Sequence, residues 1–142
     1  MDTTFRIYPI GIQNFEQLRN NNNVYVDKTE LIYRLANTNK AYFLTRPRRF
    51  GKSLLVSTLA HYYDRTKANR FEELFGGTWI GEHPTEEHNQ YMVIRYDFSA
   101  MVMANDMQGL AQNFDALNCS PVEIMVEHNR DLFGDFQFTN RG

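Results

Sequence analysis

Apolar residues recur at helical spacing in several stretches and alternate or cluster in others. In "DKTELIYRLANTNK", Leu31, Ile32 and Leu35 share one helical face, and Asp27 with Glu30 has the spacing of a capping box. "SLLVSTLAHYYDR" places Leu54, Leu55, Leu59 and Tyr62 on the inner side of a second helix. "NFEQLRNNNN" spaces Phe15 and Leu18 for one face, and the asparagines from 20 to 23 end it. "RFEELF" predicts a short helix stopped by Gly76 and Gly77. "DMQGLAQNFDALN" and "PVEIMVEHNRDLF" predict two more, the second opening on Pro121. Other stretches read as extended. "FRIYPIGIQ" is a short strand or arm, "VYV" a brief extended piece, and "AYFLT" a short buried strand. "YMVIRYDFS" is a strand of β-branched and aromatic residues. "TWIGEHPTEEHNQ" is polar and reads as a surface loop. This order predicts an α/β protein.

Composition narrows the picture. At 142 residues, with 42% hydrophobic and 14% aromatic content, the chain can build a packed core. The net charge of −2 excludes a general polyanion binder, so any phosphate affinity must come from a local cluster. Cys119 is the single cysteine, which excludes an internal disulfide and a cysteine-rich metal framework. No apolar run approaches the ~20 residues that span a bilayer. No basic segment followed by an apolar one opens the chain. The expectation is a cytoplasmic setting without a membrane partner.

The local cluster is in "FLTRPRRFGKSLLVS". The phosphate-binding (Walker A) loop is G-x-x-x-x-G-K-[ST] between a strand and a helix. Its backbone N–H groups and the helix N-terminus surround phosphate oxygens. Its lysine neutralises terminal phosphate charge, and its hydroxyl helps to hold Mg²⁺. Here Gly51, Lys52 and Ser53 supply the second half, and an apolar helix follows. Arg46 stands where the first glycine belongs, and Pro47 removes one backbone donor.

Together "YPIGIQNFEQLR", "VYVDKTELIYRL" and "FLTRPRRFGKSLLVSTL" resemble the AAA-ATPase-like family of bacterial proteins. "FEELFGGTWIGE" and "YMVIRYDFSA" are similar to the segments that follow in that family. The resemblance covers residues 8 to 100 and accounts for the Arg-Pro that replaces glycine. It implies a partial P-loop NTPase-like parallel sheet flanked by helices. Residues 1–100 would be the N-terminal part of the ATPase domain and 101–142 a helical continuation. It also implies ATP and Mg²⁺ as cofactors. The binding loop would comprise Arg46, Pro47, Arg48, Arg49, Phe50, Gly51, Lys52 and Ser53. Lys52 would meet the β- and γ-phosphates and Ser53 would ligate Mg²⁺. The N–H groups of Arg49, Phe50, Gly51 and Lys52 would line the phosphate. For the side chains of Arg48 and Arg49 three roles stay open: neutralising phosphate, pairing with acidic residues, or lying in solvent.

Hydrolysis needs a second apolar strand ending in an acid that holds Mg²⁺, usually beside a glutamate (Walker B). "MVIRYDF" ends in Asp97, but Arg95 interrupts it and Phe98 stands where the glutamate belongs. Catalytic residues are therefore not assigned. Members of the family are usually longer, with a PD-(D/E)XK nuclease-like domain toward the C-terminus. The sequence-based expectation is an ATP-binding domain that lacks complete hydrolytic machinery. Its alternatives are a module that binds nucleic-acid backbone through the same basic stretch and an inactive truncated fragment. A missing C-terminal domain or self-association is the expected source of further partners.

Overall fold

A computed structural model describes residues 5–38, 41–100 and 106–135. They form helices α1 (Phe15–Asn20), α2 (Glu30–Ala36), α3 (Lys52–Tyr63), α4 (Phe71–Phe75), α5 (Trp79–Glu82), α6 (Met107–His128) and α7 (Arg130–Phe133). Two 3₁₀ segments, Arg65–Arg70 and Phe98–Ala100, complete the order. The chain divides into two compact units, Met1–Tyr91 and Met92–Gly142.

The expected parallel sheet is absent. Among the described residues there is no β-strand, and pairing is limited to one isolated parallel bridge between Asp64 and Tyr91. Tyr91 N donates to Tyr63 O, and Arg65 N donates to Tyr91 O, both at 2.9 Å. "AYFLT" and "YMVIRYDFS" have the composition of strands but no ladder. Strand preference measures how well a residue fits a paired, half-buried surface, and it does not create the partner. Phe43, predicted to be buried, is 92% exposed.

The core of the first unit is helical. Phe15, Ile32, Tyr62, Leu74, Phe75 and Ile80 form one buried cluster, with Leu54, Leu55 and Leu59 of α3 packed against it. Ile32 faces inward as expected, whereas Leu31 is partly exposed. Buried Ser57 fixes α1 on α3 by accepting a hydrogen bond from Phe15 N at 2.9 Å.

The stretch predicted as a polar loop holds α5, and the predicted capping box is replaced by a longer-range arrangement. Asp27 Oδ2 accepts from Trp79 N (2.6 Å), Thr29 Oγ1 from Ile80 N (3.1 Å), and Thr78 Oγ1 from Gly81 N (3.2 Å). These three side chains satisfy the donors at the start of α5, which is why so short a helix persists. Glu30 pairs with Arg34 instead. Burial opposes the Asp27 charge, but the Thr29 and Trp79 hydrogen bonds and the Arg19 charge outweigh it and hold the carboxyl below its usual range. Gly81 is required here, because a Cβ would lie 2.1 Å from the Phe75 carbonyl oxygen.

Glu16 joins α1 to α3 and the first 3₁₀ segment. It accepts from Lys67 Nζ at 2.9 Å and from Arg70, and lies 3.2 Å from His61 Nε2. The Lys67 hydrogen bond is the largest cause that lowers its carboxyl from 4.5 to about 2, against the opposing effect of burial; Arg70 and His61 add to it. A carboxylate shifted downward on folding stabilises the fold above its unfolded pKa. That contribution is therefore complete above about pH 4.5 and is lost as pH falls through about 2. Glu16→Gln is expected to cost about 1–2 kcal/mol at neutral pH, a value discounted for solvent screening. Urea melts across the acid range check this: the gap between parent and variant should close as the pH falls. A constant gap would assign the loss to something other than the carboxylate charge.

In the second unit α6 is continuous, not the two helices that Pro121 suggested. Pro121 removes one bond to the preceding turn without ending the helix. Asp106 caps the start through Gly109 N at 2.6 Å. Buried Asn129 donates from Nδ2 to Met125 O at 2.8 Å at the other end.

Candidate functional site

The site is built on the first turn of α3. Gly51 is its N-cap, at φ 76° and ψ 16°, a left-handed conformation that glycine adopts without strain. No side chain caps this end, and the first helical bond runs from Leu55 N to Gly51 O at 2.9 Å. The N–H groups of Lys52, Ser53 and Leu54 thus precede the helical ladder, at the positive end of the helix dipole.

Before Gly51 the chain turns at Arg48 and Arg49, and Arg49 takes φ 67°. Such a value is uncommon for a long side chain. Lys52 then reaches back across the turn: its Nζ donates to Arg46 O at 2.5 Å. That bond ties the ammonium to the backbone six residues earlier, on the other side of the turn at Arg48 and Arg49. Arg46, Pro47, Arg48, Arg49, Phe50, Gly51 and Ser53 are exposed, and Lys52 is half-buried. The guanidinium groups of Arg46, Arg48 and Arg49 have no ion-pair partner among the described residues. Of the three roles open to Arg48 and Arg49, pairing with acids of the domain is not observed.

The donor set suits phosphate. It offers consecutive backbone N–H groups, one ammonium, the Ser53 hydroxyl and exposed guanidinium groups, with no carboxylate hydrogen-bonded to them among the described residues. Ser53 is exposed and carries the hydroxyl of the first turn of α3.

Asp97 belongs to the second unit. Its Oδ1 accepts from Ser99 N at 2.9 Å and Ser99 Oγ at 2.6 Å, and the Ser99 hydroxyl is the main cause that lowers its carboxyl. This is a local turn at the end of an extended piece. The histidines of the polar stretch are engaged in packing. His83 stacks on Trp79 with ring centroids 4.4 Å apart, and His88 lies 4.4 Å from Phe71. Among the described residues no three His, Cys, Asp or Glu side chains gather into a metal site. No described helix is long and apolar enough to cross a membrane.

Sequence reasoning missed the bond from Lys52 to Arg46 O and the left-handed Arg49. Neither has a sequence signal, since one involves a carbonyl that every residue carries and the other a conformation that arginine rarely adopts.

The chain belongs to the AAA-ATPase-like family, whose profile is described as "Predicted AAA-ATPase" and matches residues 9–140. The match thus continues beyond residue 100, into α6 and α7. A curated relative, "Uncharacterized protein in vnfD 5'region" of Azotobacter chroococcum mcd 1, is 34% identical over 132 residues. The alignment covers 89% of this chain and 24% of that protein, so the chain spans about a quarter of the relative's length. No solved structure matches.

Proposed function

We propose that the turn from Arg46 to Ser53 binds the phosphates of ATP with Mg²⁺, as the nucleotide-holding part of an ATPase. The observation that carries this reading is the placement of Lys52. Its ammonium is held back against the Arg46 carbonyl, across the turn that leads into the uncapped start of α3. A triphosphate at that turn would take the N–H groups of the first turn of α3 and exchange the Arg46 carbonyl for a phosphate oxygen as the lysine's partner. That exchange replaces a neutral acceptor with a charged one, and charge-assisted hydrogen bonds are roughly twice as strong. Family membership supports the same reading. Titration of labelled ATP with and without Mg²⁺, with single-stranded DNA as competitor, tests it. Saturable, Mg²⁺-dependent binding that DNA does not displace is expected. Displacement by DNA at matched phosphate concentration would instead favour binding to nucleic-acid backbone.

The Arg46 position is part of the loop's own geometry. Its carbonyl, a backbone group, holds Lys52, while Pro47 fixes the backbone that follows. Arg46→Gly restores the common loop pattern on paper but frees the chain at the point that anchors the lysine. ATP affinity should not improve. A clear gain measured by the same titration would contradict a specialised loop.

A further inference from the structure

We infer that the second unit binds a free α-amino acid with an apolar side chain, in the cleft between the 95–97 segment and α6. The cleft has a volume of about 400 Å³, within the range of small-molecule sites. Ala116, Leu117 and Pro121 line one side, and their spacing places them on one stripe of α6 as an apolar floor. Arg95 and Asp97 line the other side, two residues apart on an extended piece. Two ring stacks hold this piece against the helix. Tyr96 lies on Phe98 with centroids 6.1 Å apart, and Phe98 lies on Phe114 of α6 at 6.3 Å.

The polar groups define the ligand. The Arg95 charge acts on the Asp97 carboxylate, yet the two make no ion pair with each other or with another described residue. Both line a cleft with an apolar floor, so the matching ligand carries both charges beside an apolar group. On an extended piece their α-carbons stand about 7 Å apart. One small molecule whose carboxylate and ammonium share a carbon spans that gap, with a hydrogen bond of about 2.8 Å at each end. The Arg95 guanidinium offers two parallel N–H groups to the ligand's carboxylate. Asp97 Oδ1 is held by Ser99, which fixes the group and leaves Oδ2 for the ammonium. A second acceptor comes from the helix. Pro121 has no N–H, so the carbonyl of Leu117 lacks its usual helical donor, on the stripe that forms the floor. A lone cation or a lone anion would leave one of the two charges unmatched. Arg95 and Asp97 are exposed, which screens each contact, so a Kd of about 1 mM is expected.

Chemical-shift titration of the full chain with L-leucine tests the inference, beside two analogues that each lack one charge, 4-methylpentanoate and 3-methylbutylamine. Leucine should move the amide signals around Leu117 and saturate with a Kd of about 1 mM. Each analogue should bind about fivefold more weakly or worse, since each gives up one charge-assisted contact. Arg95→Gln and Asp97→Asn should each weaken leucine binding by a similar factor. Both positions are exposed, and circular dichroism verifies that each variant keeps its helices. No saturation by about 20 mM leucine, equal binding of either analogue, or an affinity unchanged in either variant would each overturn the inference. Neither substitution touches the turn from Arg46 to Ser53, so the outcome is independent of nucleotide binding.

Discussion

Phe75→Ala is expected to destabilise the first unit by about 3–5 kcal/mol, the usual cost of emptying a buried aromatic site. Phe75 is fully buried at the end of α4. Its ring lies 4.9 Å from Phe15, 5.5 Å from Tyr62 and 5.3 Å from Phe71, so it touches α1 and α3 as well as its own helix. The cavity cannot close easily. The Phe75 carbonyl accepts from the Thr78 hydroxyl at 2.7 Å, and Gly81 packs directly on it, which fixes the backbone. Domains of this size retain only about 5–15 kcal/mol in total, so the variant should lose much of its stability. Urea denaturation followed by far-ultraviolet circular dichroism measures the effect. Phe75→Leu, which keeps most of the volume, should recover the larger part of the loss. A cost below about 1 kcal/mol for the alanine variant would show that the four-ring cluster is not the centre of this core.

The helices were legible where one face is both apolar and buried against near neighbours. Tyr62 with Leu54, Leu55 and Leu59 in α3, and Leu74 with Phe75 in α4, carry that signal in the order of residues alone. The sheet was misread because Phe43, Ile94 and Tyr96 have strand-like chemistry while their pairing partners are not specified by local pattern. α5 was hidden for a related reason. Its donors are satisfied by Asp27 and Thr29, some fifty residues earlier, and no window along the sequence joins them. Pro121 reads as a helix start, yet its lost bond is tolerated within a long α6. The basic turn was legible as chemistry through Gly51, Lys52 and Ser53. Its shape was not, because it depends on a lysine returning to a backbone carbonyl.

Lys52→Ala should weaken ATP binding by about 2 kcal/mol or more, roughly thirtyfold, while the helices remain intact. The substitution removes the one ammonium held across the turn and leaves the Gly51 cap and the first-turn N–H groups in place. Alanine is also the best helix former, so the start of α3 loses nothing in propensity. Asp97→Asn, which disturbs only a turn with Ser99, should change affinity little. Calorimetric titration of the three proteins separates the alternatives: equal affinity for Lys52→Ala and parent would reject the phosphate-loop reading. Turnover is expected to follow a different rule from binding. On the proposed reading, holding a nucleotide takes the N–H groups, Lys52 and a metal near Ser53. Rapid hydrolysis also needs an acid and a positioned water, and often an arginine that supplies ~10³-fold or more. Arg48 and Arg49 are exposed and make no ion pair among the described residues, so charge is on hand. The acid is what the described residues do not bring to this turn. Phosphate release should therefore be far below the ~1 s⁻¹ of working enzymes. The Lys52→Ala protein serves as the control for contaminating activity. Fast release that disappears in this control would mean that a carboxylate reaches the turn once ATP is bound, and the ammonium of Lys52 would then serve both steps.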